Sequence, residues 1–149
     1  MSTYTCLHYH IVFSTKGRNR LITPAIRTRL HEYMGGIVRG AEGRPIQIGG
    51  ADDHVHLLVT LTQKIAISDF LRALKASSSG WVHDNFPGAA EFKWQIGYAA
   101  FTVSHSAIES VKAYIANQEE HHRQMSFQDE LRALLKRHEI EFDEKYIWD

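Results

Sequence analysis

His54-Val55-His56 is the first place where residue type and spacing in this chain suggest chemistry. On a strand, successive side chains point to opposite faces, so the two imidazoles share a side. Their Cα atoms are then roughly 6–7 Å apart, at a rise of about 3.3 Å per residue. Two rings at that spacing can converge on one divalent metal ion. The same spacing also describes two ordinary histidines on a half-exposed strand. His8-Tyr9-His10 repeats the pattern, and spacing alone does not separate the two pairs. A second group lies in VKAYIANQEEHH, residues 111–122. Tyr114 and Gln118 are four residues apart, one turn along the same helical face, and His121 and His122 continue near it. The plain alternative there is a semi-buried tyrosine with hydrogen-bonding neighbours.

The two groups gain meaning together. If the helix packs near the His54–His56 strand, Gln118 supplies a third, oxygen ligand and Tyr114 holds its hydroxyl close to the metal. Two imidazoles, one amide oxygen and open positions suit Mg²⁺ or Mn²⁺ bound to a phosphate. Such an ion polarises a phosphodiester, and the tyrosine becomes a covalent nucleophile. With an ordinary pKa of about 10, it needs help from the metal or a nearby base. His10, His121 and His122 are candidates for supporting positions. Asp53 is a candidate to hold an imidazole tautomer, as carboxylates behind metal-bound histidines do, or a turn residue. Lys16, Arg18, Arg20, Arg72 and Lys75 are candidate contacts for a phosphate backbone or plain solvated charges, Arg72 and Lys75 sharing a helical face. Trp81, Phe92 and Trp94 fit core packing better than base stacking.

The elements that must position these residues are legible in outline. Thr5–Ser14 is rich in β-branched and aromatic residues and reads as a strand. Thr23 and Pro24 open a helix with apolar residues at 26, 30, 34, 37 and 38, weakened by Gly35-Gly36. Residues 44–48 and 55–61 read as strands joined by a GGADD turn. Ser68 caps a helix to about His83, and 94–103 read as a fourth strand. Ser106 caps a third helix carrying Ile108, Val111, Ile115 and Gln118 along one side. Ser126 starts a fourth, with Asp129 and Glu130 in its first turn, where acidic groups suit the helix dipole. The order β-α-β-β-α-β plus two helices is the α+β split-βαβ, or ferredoxin-like, pattern. It predicts an antiparallel sheet with helices on one face plus C-terminal helices.

The 149 residues fit one domain spanning 1–149. The 17 basic and 17 acidic residues cancel, but unevenly. Residues 1–45 have a net charge of +5, whereas residues 96–149 have ten acidic groups against six basic ones. A basic front end attracts phosphates even in a neutral chain. No apolar run is long enough for a membrane span and no export signal is visible, which points to the cytosol. The single Cys excludes an internal disulfide and a zinc site built on pairs of cysteines.

Five segments, in order, resemble the single-tyrosine transposases of the HUH endonuclease superfamily, which mobilise hairpin-ended bacterial insertion sequences as single-stranded DNA. They are HYHIVFSTKGRNR (8–20), DHVHLLV, WQIGYAAFTVS, AYIANQEEHH and FQDELRALLKRHEIEFDEKYIW. The resemblance implies that His54, His56 and Gln118 bind the metal and that Tyr114 is the nucleophile. It implies cleavage that leaves a 5′-phosphotyrosine and a free 3′-hydroxyl, which later rejoins strands without ATP. It implies a homodimer in which the tyrosine helix can complete the partner's site. The DNA would be read as a hairpin beside unpaired bases. A related HUH nuclease with a host or replication role would use the same residues. A catalytically silent single-strand binding module would bind without metal and without Tyr114.

Overall fold

The computed structural model describes residues 1–148. Alternation in HYHIVFS builds β1 (His8–Ser14), with Ile11 and Phe13 on one side and His8, His10, Val12 and Ser14 on the other. HVHLLVT builds β3 (His54–Thr60) in the same way, with Val55, Leu57 and Val59 opposite in facing to His54, His56 and Leu58. The two strands pair antiparallel with Val12 across from His56 and Ser14 across from His54, so like-facing residues form continuous rows. β2 (Arg44–Gly50) and β4 (Ala99–Thr102) complete an antiparallel sheet of order β2-β3-β1-β4. With α1 (Pro24–Gly40) and α2 (Ile67–Asn85) as crossovers, this is the ferredoxin-like topology.

The helices divide by face. On one side, Ile11, Phe13, Val55, Leu57 and Val59 meet Ile26, Leu30, Met34 and Val38 of α1 and Phe70, Leu71, Leu74 and Val82 of α2. Each such aliphatic side chain contributes about 1.5–3 kcal/mol by leaving water. On the other side lie α3 (Ile108–Ala116), α4 (Gln118–His121) and α5 (Phe127–Arg137). There Val12 and Phe101 pack with Phe127, Leu131, Leu134 and Leu135. The C-terminal helices therefore cover the second face of the sheet. Gly49 lets α3 lie flush on β2, because a Cβ there would sit 2.5 Å from the Ile115 carbonyl oxygen.

Several boundaries differ from the sequence expectation. The first strand begins at His8, not Thr5. The fourth is cut to Ala99–Thr102, because Trp94 makes only an isolated bridge to Thr15 and Gln95 turns back onto β1. Its Oε1 accepts the Ser14 N–H at 2.5 Å. α2 starts at Ile67 after Ala66, one residue before the expected Ser68 cap. The third helix is preceded by a 3₁₀ turn at His105–Ala107 and breaks at Asn117 (φ −98°, ψ 19°), so Gln118 opens α4 instead of extending α3. Ser126 caps α5 as expected, accepting the Asp129 N–H at 3.2 Å. Among the described residues no helix is long and apolar enough to cross a membrane.

Candidate metal and tyrosine centre

Strand alternation puts His10, His54 and His56 on the face covered by α3–α5, and all three are buried. α3 brings Tyr114 over this row, half-buried, and Gln118 follows it, 1% exposed. Arg27 of α1 holds α4 in place through Glu119, and reaches the turn before β3 through Asp52 at 2.5 Å. Phe127 stacks on the His54 ring with centroids 4.6 Å apart.

His54, His56, Tyr114 and Gln118 meet, with His121 and His122, at Glu130 of α5, which is 1% exposed. His56 Nε2 and His122 Nε2 lie 3.0 and 2.9 Å from its Oε1. Gln118 Nε2 donates to Oε2 at 3.0 Å, and the Tyr114 hydroxyl donates to the same oxygen. His121 Nε2 lies 3.3 Å from Oε2 and His54 Nε2 3.6 Å from Oε1. Burial alone would raise the carboxyl's pKa. The bonds from His122, His56 and Tyr114 outweigh it and hold Glu130 far below the usual carboxylate range. Tyr114 moves the other way: burial, then the bond to Glu130 and its charge, push the phenol above its ordinary value. Burial also depresses His56 to about 4 and His10 to about 3. Both rings are neutral at pH 7, the form that ligates metals.

Behind these groups stand the supporting partners. Asp53 Oδ1 lies 2.7 Å from His54 Nδ1, and His10 Nε2 lies 2.8 Å from His56 Nδ1. In the tautomer that donates Nδ1–H to Asp53, His54 directs its Nε2 lone pair toward Gln118 Oε1, 3.0 Å away. Gln118 cannot turn its amide round without losing the bond to Glu130. Two acceptors facing each other at that distance call for a cation between them, so the residues present fit a metal. Donor atoms of His54, His56, His122 and Glu130 all lie within 4.8 Å of one another.

The structure thus gathers Tyr114, Gln118, His54, His56, His10, Asp53, His121 and His122, with Tyr114 reaching its own chain's histidines. His8, of the rival pair, bonds instead to Thr60 Oγ1 at 2.8 Å. Glu130 was not singled out as a site residue in the sequence. The available signal was its phase: Phe127, Glu130, Leu131 and Leu134 form one buried helical stripe, so a carboxylate occupies a core position.

The basic candidates separate. Arg18 and Arg20 line a polar cleft of about 670 Å³ with Arg123, Asp53 and His122, which opens beside the centre. Lys16 is exposed in the same turn. Arg72 is exposed and pairs with Asp69 at 3.0 Å. Lys75 is turned inward, its Nζ donating to the carbonyls of Gln95, Ile96 and Gly97, and burial lowers its pKa to about 8. Its charge holds the loop that cuts β4 short. Phe92 and Trp94 are core residues.

Comparisons with known proteins agree on a family. The profile described as "Transposase IS200 like" matches residues 3–118. The chain is 28% identical over 117 residues to the ISDra2 transposase TnpA of Deinococcus radiodurans, covering 75% of this chain and 84% of that one. It is 28% identical over 116 residues to the transposase for insertion sequence element IS200 of Salmonella typhimurium, covering 74% and 75%. A transposase structure from Deinococcus radiodurans superposes with a TM-score of 0.64 at 26% identity, over 79% of this chain and 95% of that one. The REP associated tyrosine transposase, solved bound to a REP hairpin, shares the fold with a TM-score of 0.59 at 17% identity, over 82% and 74%. The profile match ends at Gln118, so His122 and Glu130 lie beyond it.

Proposed function

Because the chain belongs to the family of IS200-like transposases, we propose that it cleaves and rejoins single-stranded DNA at hairpin-marked ends through a 5′-phosphotyrosine. In this reading Tyr114 is the nucleophile. His54, His56 and Gln118 hold Mg²⁺ or Mn²⁺, with Glu130 beside them. One observation carries it: Tyr114, Gln118 and His56, from three separate elements, converge on one buried carboxylate, and His54 meets Gln118 beside it.

The chemistry follows from those contacts. Tyr114 Oη forms a bond to phosphorus while the P–O3′ bond breaks. The 3′-oxygen leaves and is protonated to a hydroxyl. The tyrosyl proton passes to Glu130, whose Oε2 already accepts that hydrogen. Rejoining is the reverse, a 3′-hydroxyl attacking the phosphotyrosine and releasing Tyr114. A bound divalent ion supplies charge withdrawal from the phosphate oxygens. In the resting arrangement the proton stays on Tyr114, because its pKa is raised and that of Glu130 is lowered. The nucleophile is therefore masked until DNA enters with its ion. Arg18, Arg20 and Arg123 line the route by which a phosphate backbone approaches. Lys16 extends that basic surface. The hairpin bound by the REP associated tyrosine transposase supports a hairpin substrate here. Two copies acting on the two ends of one element complete the reading.

The test is covalent. Labelled single strands from the DNA flanking the gene are incubated with protein and Mg²⁺ or Mn²⁺, then run on a denaturing gel. A shifted band that needs both the ion and Tyr114 is the expected result. A band that survives Tyr114→Phe moves the nucleophile elsewhere. Binding without any adduct supports a silent binding module.

A further inference from the structure

A second cluster stands where β1 begins, away from Glu130. Cys6 Sγ lies 3.2 Å from His8 Nε2, and His8 Nε2 lies 3.2 Å from His105 Nδ1. All three donor atoms fall within 4.8 Å of one another. His8 is buried, whereas Cys6 and His105 are exposed and free to adjust. In the tautomer that donates Nδ1–H to Thr60 Oγ1, 2.8 Å away, His8 directs its Nε2 lone pair at the other two groups. That is the same device by which Asp53 orients His54. Zinc bound by sulfur at about 2.3 Å and nitrogen at about 2.0–2.1 Å in a tetrahedron needs donors roughly 3.3–3.6 Å apart. The two separations are close to that. One thiolate with two imidazoles and an open fourth position is a borderline-soft set, unlike the oxygen-containing set around Gln118 and Glu130.

We infer that Cys6, His8 and His105 form a second metal site, for Zn²⁺ or an ion of similar softness, that pins the entry to the tyrosine helix. Cys6 lies just before β1, and His105 lies in the 3₁₀ turn that leads into α3. A metal bound there ties residues 105–107 to the sheet and limits movement of the helix that carries Tyr114. Binding releases the thiol proton to solvent and leaves a metal–thiolate bond. The metal site stands on its own geometry, and only its consequence for catalysis rests on the role proposed for Tyr114.

Cobalt is the probe, because Cys6 is the only cysteine in the chain and thiolate-to-cobalt charge-transfer absorption can arise from no other residue. Titrating Co²⁺ into the intact protein is expected to give that band at one equivalent per chain, competed away by Zn²⁺. Cys6→Ser abolishes it. His105→Ala, a change at an exposed position, weakens binding by at least the about 10–100-fold that loss of an outer-shell partner costs. His54→Ala leaves the band in place. Zn²⁺ is expected to slow amide hydrogen exchange across 103–116 in the parent and not in Cys6→Ser. Absence of the band, an unchanged titration in His105→Ala, or a stoichiometry of one ion per two chains overturns the site. A band without added protection of 103–116 overturns the pin. None of these readouts uses DNA, so failure of the transposase reading leaves them intact.

Discussion

The two faces of one sheet are built from the same alternating strands and do opposite things. Toward α1 and α2, every second residue of β1 and β3 is aliphatic or aromatic, and the interface is a dry core. Toward α3–α5, the same strands present His8, His10, Ser14, His54 and His56, and the covering helices answer with Tyr114, Gln118, His122 and Glu130. The apolar face has little to satisfy, such as the Trp94 Nε1–H donated to the buried Ser78 Oγ at 2.9 Å, so its energy comes mainly from area. The polar face must pair each buried group, since an unpaired one costs about 1–3 kcal/mol. It does so chiefly by routing hydrogen bonds from four side chains to the two oxygens of one carboxylate, with His121 beside them. One face holds the fold and the other gathers the groups proposed to do chemistry.

The sharpest way to break this division is a pair of substitutions. Tyr114→Phe removes one oxygen from the polar face and is expected to abolish adduct formation while the melting temperature moves little. Leu57→Ala opens a cavity on the apolar face and is expected to cost about 2–5 kcal/mol of stability. Adduct formation per folded molecule should be unchanged. Gel-shift and melting measurements on both variants check it, and a Tyr114→Phe protein that keeps full adduct yield ends the division of labour.

Acid should act mainly through the polar face, with His31 of α1, lowered to about 4 by burial, adding to it. His56 and His10 have folded pKa values of about 4 and about 3, below the ordinary 6.5. As pH falls below 6.5 the unfolded chain takes protons that the folded chain refuses, so stability falls. For His56 alone the loss reaches on the order of 3 kcal/mol by pH 4. Glu130, held low, adds stability that is present above about 4.3 and fades as pH drops below it. All three effects have the same sign. Denaturant melts in EDTA from pH 7 to 4 should show the decline, and His10→Gln should flatten it.

Glu130→Gln sets an amide nitrogen among donors. A loss of about 1–3 kcal/mol is expected in melting experiments without metal. Divalent-ion affinity, read by calorimetry, should fall by about 10–100-fold. An unchanged affinity would leave Glu130 a purely structural anchor. The smallest effect belongs to the cleft beside the centre. Arg20→Ala is expected to weaken single-strand binding evenly across sequences and to lower the slope of log K against log salt by about 1.

What the residues could show in advance depended on range. Strand alternation is local, so His54 and His56 were known to share a face, and the four-residue step from Tyr114 to Gln118 pointed both to one side, although the helix breaks at Asn117 between them. Such periodicity also carried the order of elements and with it the ferredoxin-like sheet, and five ordered motifs carried the family. Boundaries set by distant contacts were not legible. β4 shortened because Gln95 bonds to β1 and Lys75 of α2 holds the loop. The convergence on Glu130 was hidden for the same reason. In its own helix Glu130 reads as a first-turn acid facing the dipole. Its partners lie 8, 12, 16 and 74 residues away, and only the packing of α5 across the sheet brings them together. The sequence by itself determined which residues were chemically able and which of them shared a local face. The tertiary structure alone decided which carboxylate they meet, because buried charge is stabilised by neighbours in space, and chain order does not show who those neighbours are.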